Sequence, residues 1–388
     1  MNDRLPANRT TLLHIGILLC GAAALLVSPR TFAQEYTVNA AGAVLMDQAT
    51  TRVLASKNAH TRLPMASTTK VMTALLALEN ERWDTLISVP AAAVGVEGSS
   101  MYLELGEELT LQDLLYGLML SSGNDAAITI AVHIGGSVEG FAQLMNSRAK
   151  HIGCQNTNFV TPNGLHDENH YTTAYDLALI CAAAMNTPSF RMIVSTQYWE
   201  TTSGNITRTL KNKNKILWQY EGGNGIKTGY TKAAGRCLTF SAEREGNTLI
   251  GVVLGCPDMW NEAANLLNMG YREYVWEEIV SAGTCVRQAA VEKGMKDVLE
   301  IVAKEDILIP LRHGETADDL TVRLQYDQTP LAPVYAGQVV GRMEVTLGSR
   351  VLASTPLLAG ETVERKEYPY YLMRAVRSWL GDVSGYTR

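Results

Sequence analysis

The chain is poor in everything that would let a staple or a bound ion carry its fold. Six of its 388 residues are cysteine and no two form a C-x-x-C pair, so a structural zinc site has no starting point. Beyond residue 33 there remain Cys154, Cys181, Cys237, Cys256 and Cys285, odd in number and widely spaced, which is no disulfide framework. The seven histidines are scattered. His166–His170 reads HDENH, but aspartate stands where the zinc motif H-E-x-x-H has glutamate. The preceding Pro162-Asn163-Gly164 also makes a loop where that motif needs a helix. No clustered basic face marks a nucleic-acid partner, and a net charge of −6 is no bias towards disorder. Internal repeats and low-complexity linkers are absent. The longest apolar run, Ile15–Val27, is too short to span a bilayer comfortably.

That run is informative for what flanks it. Arg4 and Arg9 precede it, and Thr31-Phe32-Ala33 supplies a small-x-small cleavage pattern. Residues 1–33 therefore read as a secretory signal peptide cut after Ala33, with an uncleaved anchor as the alternative, and the protein as exported. The remaining length favours two domains.

Ala41–Asn58 has two short apolar runs around a polar turn, a hairpin pattern. Helical patterns follow in Val71–Leu78, in Leu109–Leu120 behind a capping pair Thr110/Asp113, in Asp125–Ile134, and through VEGFAQLMNSRAKHIG and AYDLALICAAAMN. RCLTFSAERE and TLIGVVLGC read as strands joined at Glu245-Gly246-Asn247, and NEAANLLNMGYREYVWEEIV as a helix. Strands at both ends with helices between them predict an α/β domain with a helical insertion, over residues 34–284. From Cys285 the texture changes to short, often alternating runs (DVLEIVA, DILIPL, LTVRLQY, GQVVGRMEVTL, RVLASTPLL), an all-β module over 285–363. The tail, 364–388, places Leu372, Ala375, Val376, Trp379 and Leu380 on one helical face and Arg374, Arg377 and Ser378 on the other. That pattern suits either an interfacial membrane helix or a helix packed on the β module.

One helix start resists a purely structural reading. In LPMASTTKVMTALLALE (residues 63–79) Ser67 could cap a helix, but a capping box then wants Glu or Gln where the chain has Lys70. A cation in the first turn also opposes the helix dipole. Ser67 and Lys70 lie one turn apart, so an amine stands within reach of a hydroxyl. Serine is a poor nucleophile until a neighbouring base takes its proton, and only neutral lysine is a base. Two further polar clusters interrupt apolar surroundings: Ser122-Gly123-Asn124 between two helices, and Lys227-Thr228-Gly229 leading into the Arg236–Leu254 hairpin. Lys227 would lower the Lys70 pKa across a cleft and, with Thr228, suit a terminal carboxylate. Ser122 could pass a proton to a leaving amine, while Asn124 orients the substrate amide and Lys70. Gly229 lets a strand approach a ligand closely. The backbone N–H groups of Ser67 and Tyr230 make a two-donor oxyanion hole. A second S-x-x-K, Ser147 to Lys150, follows Ser-Gly-Asn in the chain and reads as a solvated helix face.

Serine-x-x-lysine, Ser-x-Asn and Lys-Thr-Gly, in this order, form the signature set of penicillin-binding proteins and class A β-lactamases. With PMASTTKVMTALLALE, LMLSSGNDAA, TPNGLHDENHYTTAYDLALI and GIKTGYTKAAGRCLTFSAERE, the chain from about Tyr36 onward resembles the low-molecular-mass penicillin-binding proteins, the serine D-alanyl-D-alanine carboxypeptidases. The resemblance implies a penicillin-binding/β-lactamase-like catalytic domain of α+β layout, an antiparallel sheet flanked by helices with a helical subdomain, followed by a small all-β domain. It implies cleavage of peptidoglycan stem peptides ending in D-Ala-D-Ala, acylation by β-lactams, no cofactor or metal, no nucleic acid, and a place at the outer face of the cytoplasmic membrane. It also implies that Asp176 supports the active-site loop. Position 230 is tyrosine where some members have histidine. A class A β-lactamase would need a glutamate-activated water, and no E-x-x-L-N pattern is present. A D,D-endopeptidase would use identical chemistry. A non-catalytic wall-binding or β-lactam-sensing module would not need all three motifs.

Overall fold

The structure, a computed structural model, describes residues 34–35 and 37–381. The signal peptide read over 1–33 lies outside them. Two compact units are present, one ending at Tyr274 and one beginning at Val275.

The first unit is built on a six-stranded sheet in the order Gln34–Glu35, Val53–Lys57, Gly42–Asp47, Asn247–Leu254, Gly235–Arg244, Gly223–Thr231. All neighbours are antiparallel except the two-residue first strand. The hairpin expected at Ala41–Asn58 pairs Gly42–Asp47 with Val53–Lys57. Gly42–Asp47 is buried throughout, so both faces of the sheet are covered. Val44, Met46, Ile250, Val252 and Leu254 join the large helical core. On the other face a Cβ at Gly270, in the helix Met259–Glu273, would meet Leu249 and Leu45 at 2.6 and 2.7 Å. A small residue there lets helix and sheet close up.

The helical subdomain surrounds Lys70–Asn80, which is buried on every side from Lys70 to Ala77, more completely than a one-faced pattern implies. Around it lie Leu111–Tyr116, Asn124–Gly135, Val138–Ile152, Ala174–Met185 and Pro188–Ser195. Thr110 caps the Leu111 helix by accepting the Asp113 N–H at 3.1 Å. The helix expected to run to Leu120 loosens instead into a π-turn over Gly117–Ser121.

The second unit contains a five-stranded antiparallel sheet in the order Cys285–Ala290, Val298–Ala303, Arg350–Ala359, Val339–Leu347, Leu320–Tyr326. Its core includes Ile301, Ile309, Met343, Val345 and Leu357. The helix expected over 261–280 stops at Glu273, and Tyr274–Val280 is a strand paired with Ile307–Arg312. The break between units accordingly falls before Val275, not at Cys285. Tyr-Val-Trp and Ile-Val are β-favouring, and a strand partner some thirty residues on decides the matter, which helical spacing cannot register. The tail forms a helix, Tyr368–Gly381, whose Leu372, Met373, Val376 and Trp379 are exposed.

Candidate active site

Ser67 lies on a 3₁₀ turn, Ala66–Thr69, that feeds the Lys70 helix. It is not a capping serine, because no side chain caps either start. Ala66, immediately before it, has φ +47, a left-handed conformation costly for a residue with a Cβ. The turn is held in that shape from outside. Gly164 (φ +84) backs onto it so closely that a Cβ would stand 2.0 Å from the Ala66 carbonyl oxygen. Thr69 Oγ1 donates to that same oxygen at 2.8 Å.

The Lys70 side chain is completely buried. Its Nζ lies 2.9 Å from Ser67 Oγ, 2.7 Å from Asn124 Oδ1 and 2.8 Å from the Asn163 carbonyl oxygen. Burial first, then the charges of Lys227 and Lys213, push its pKa well below 10.5, while Asp125 opposes them. A neutral amine has two N–H groups and one lone pair. Asn124 Oδ1 and Asn163 O can only accept, so they take both N–H groups and leave the lone pair for the Ser67 hydroxyl. An amine so placed can receive the serine proton.

Ser122 ends the π-turn in the left-handed region, φ +65, and is almost buried. Asn124 opens the next helix. Its Nδ2 donates to Glu97 O at 2.5 Å, which leaves Oδ1 facing Lys70. Asp125 beside it accepts from Ser100 Oγ and from the Met101 and Leu103 N–H groups, tying down the segment that follows the cavity-lining Gly98 and Ser99.

Lys227, Thr228 and Gly229 lie on Gly223–Thr231, the edge strand of the sheet. Lys227 is 1% exposed, donates to Thr228 O at 3.2 Å, and is lowered to about 7 by burial and then by Lys213. A Cβ on Gly229 would come within 3.1 Å of both Ser67 N and Met65 O. Any side chain there would press on the serine turn and push it back by a few tenths of an ångström. Ser67, Ser122, Thr228, Gly229 and Tyr230 line one cavity of about 580 Å³.

Sequence reasoning missed several neighbours. Lys213, Ser99, Arg236 and Trp260 line the same cavity. Lys213 Nζ donates to Ser121 O (2.7 Å) and Ser99 Oγ (3.2 Å), and burial lowers its pKa. The only signal in the chain was the run KNKNK at 211–215. Asn163 reads in the sequence only as part of a loop, yet its carbonyl is a direct partner of Lys70. His170, in HDENH, has a structural role that its spacing does not announce. Its Nδ1 accepts the Val160 and Thr161 N–H groups at 3.0 and 3.3 Å, so Nε2 carries the proton and donates to Thr69 Oγ1 at 2.8 Å. Burial lowers it to about 4, keeping it neutral at pH 7. The loop bearing Asn163 is thereby stapled to the serine turn. Asp176 acts at one remove, accepting from the Gln155 and Asn156 N–H groups and from Thr157 Oγ1, which shares a 2.8 Å hydrogen bond with Thr172 Oγ1. Ser147 and Lys150 are exposed on the Val138–Ile152 helix, where Arg148 pairs with Glu79.

The D-alanyl-D-alanine carboxypeptidase family profile matches residues 29–258, and that of the penicillin-binding protein 5 C-terminal domain matches residues 274–365. The chain is 32% identical over 382 residues to D-alanyl-D-alanine carboxypeptidase DacF of Bacillus subtilis, covering 94% of this chain and 98% of that one. It is also 32% identical to DacC of Escherichia coli, over 94% of this chain and 97% of that one. Among solved structures, penicillin binding protein 5 from Haemophilus influenzae superposes with a TM-score of 0.69 at 30% identity, over 86% of this chain and 99% of its own.

Proposed function

The chain belongs to the serine-type D-alanyl-D-alanine carboxypeptidases, and we propose that it removes the terminal D-alanine from peptidoglycan stem pentapeptides through an acyl-enzyme on Ser67. The observation that carries this reading is the buried Lys70 amine, 2.9 Å from Ser67 Oγ and held there by two groups that can only accept, Asn124 Oδ1 and Asn163 O. Lys70 takes the proton as Ser67 Oγ attacks the carbonyl of the penultimate D-alanine. The N–H groups of Ser67 and Tyr230 receive the negative charge that develops on the carbonyl oxygen, the term that usually weighs most in acyl transfer. Ser122 passes a proton to the departing amine, and Asn124 keeps the substrate amide and Lys70 in register. Lys227 and Thr228 hold the terminal carboxylate, with Gly229 allowing the strand its close approach. D-Alanine leaves, and water then releases the shortened peptide.

A β-lactam presents the same carbonyl and carboxylate but keeps its leaving group tethered, so its acyl-enzyme persists. The work belongs to cell-wall synthesis and remodelling, outside the cytoplasm. We place the protein at the outer face of the cytoplasmic membrane, held by the exposed apolar side chains of Tyr368–Gly381. A single helix of this kind anchors reversibly.

The deciding experiment treats the mature chain with penicillin and with a pentapeptide ending in D-Ala-D-Ala. Intact mass should show one drug added per chain, mapped to Ser67, and D-alanine should be released from the peptide. Ser67→Ala should abolish both, and Ser147→Ala neither. Drug on Ser147, or activity surviving without Ser67, overturns the mechanism.

A further inference from the structure

Between the strand Ile206–Lys211 and the short helix Ile216–Gln219 runs Lys211-Asn212-Lys213-Asn214-Lys215. Its burial alternates, lysines exposed and asparagines buried. The asparagines fix the backbone. Asn212 Nδ2 donates to Val194 O (3.2 Å) and Thr196 O (3.0 Å), and its Oδ1 accepts the Asn214 N–H at 2.9 Å. Asn214 Oδ1 in turn accepts the Ile216 N–H at 3.1 Å. With alternate asparagines pinned inward, the three lysines between them are left on the outside of the segment.

Aromatic rings support that row. Lys211 Nζ stands 5.6 Å from the ring centres of Tyr198 and Trp218, and Lys215 Nζ is 5.9 Å from that of Trp260. Ring faces hold an ammonium without neutralising it. None of the three lysines pairs with a carboxylate among the described residues. Three uncompensated cations side by side, in a chain whose net charge is −6, are held together only at a cost in mutual repulsion.

The row also has an address. Lys211, Lys213, Lys215 and Trp218 line a second cavity of about 560 Å³. Lys213 is a wall of both this cavity and the catalytic one, and Trp260, beneath Lys215, lines the catalytic one. A compact anion would need donors converging on one point, whereas these three ammonium groups stand against different partners: Lys211 at Tyr198 and Trp218, Lys213 at Ser99 and Ser121, Lys215 at Trp260. We propose that this row is a subsite for a carboxylate-bearing peptide strand running on from the catalytic cavity. Such a strand has two sources, the acyl-donor peptide upstream of the scissile bond or, in a cross-linked substrate, the strand attached to the departing amine. The inference rests on the proposed function, since that function puts a peptide in the first cavity.

The test compares wild type with Lys211→Gln/Lys215→Gln on matched peptides. One pair of pentapeptides ending in D-Ala-D-Ala has an upstream side-chain carboxylate either free or amidated. One pair of cross-linked peptides has the carboxylate beside the scissile amine either free or amidated. A short diacetyl-lysyl-D-Ala-D-Ala carries neither. Two exposed charge pairs predict a three- to tenfold loss of kcat/KM, roughly, carried by KM, on the free-acid member of the pair whose strand uses the row. The amidated members and the short peptide should be unaffected, and 0.5 M salt should erase the difference. An upstream effect identifies the acyl-donor strand, and a leaving-side effect the cross-linked one. Equal loss on acid and amide, or no loss in either pair, overturns the subsite. Penicillin acylation at the wild-type rate shows that the variant is folded. Failure of the wild type to cleave even the short peptide would instead refute the carboxypeptidase reading.

Discussion

Replacing Lys227 by methionine should stabilise the protein while impairing its recognition of acid-terminated peptides. Lys227 is 1% exposed, its Nζ has one hydrogen bond, to Thr228 O, and burial with Lys213 lowers it from 10.5 to about 7. The unfolded chain holds that proton up to about 10.5, so folding at pH 7 works against it by about 4 kcal/mol. Methionine fills a similar volume without the charge. Subtracting about 1 kcal/mol for the lost hydrogen bond leaves a gain of about 3 kcal/mol. For a domain of this size that is a rise of roughly 6–12 °C in Tm. The sign with pH follows from the lowered value. Between pH 7 and 10.5 the native state binds fewer protons than the unfolded one, so wild-type stability rises through this window. Below pH 7 the penalty is fully developed. The variant lacks this term, so its advantage should be greatest at pH 7 and below and shrink as pH approaches 10.5. Thermal unfolding of both proteins, in parallel at pH 6.5, 8 and 9.5, checks this. Equal Tm values at pH 6.5, or an advantage that does not change with pH, would refute the argument that this site holds a cation against its burial. Hydrolysis of acid-terminated peptides should meanwhile fall far more than that of amide-capped ones.

The staple at His170 predicts a split between two substitutions. His170→Phe removes the acceptor for the Val160 and Thr161 N–H groups and the donor to Thr69, and should slow penicillin acylation at least tenfold, whereas His170→Asn, which can still accept at the Nδ1 position, should recover part of that rate. Because burial lowers His170 from 6.5 to about 4, the native state resists its protonation, and the wild type should lose stability as pH falls through that interval while His170→Asn does not. Deleting residues 370–388 should release the mature enzyme from the membrane fraction with peptide hydrolysis intact, and a truncated form that stays bound would dismiss the anchoring role of Tyr368–Gly381.

Read alone, the amino-acid sequence determined the family resemblance and much of the architecture. Spacings that act within one element are local: Ser67 and Lys70 stand one turn apart, Thr110 caps its own helix, and the hairpin Gly42–Lys57 follows from two apolar runs and a turn. The order of the three polar motifs needed no coordinates either. Tertiary structure decided what those residues experience. The partners that hold Lys70 are 54 and 93 residues away, and its lowered pKa comes mainly from being closed off from water, which no spacing expresses. Lys213, on the segment after Ile206–Lys211, and Arg236, on the strand Gly235–Arg244, reach the cavity only because the fold brings them together there, and His170 works through Thr69, 101 residues distant. The strand Tyr274–Val280 formed where helical spacing pointed to a helix because Ile307–Arg312 was available to pair with it. Hydrogen bonding and periodicity along one element are set by neighbours in the chain, whereas desolvation and strand pairing are set by neighbours in space.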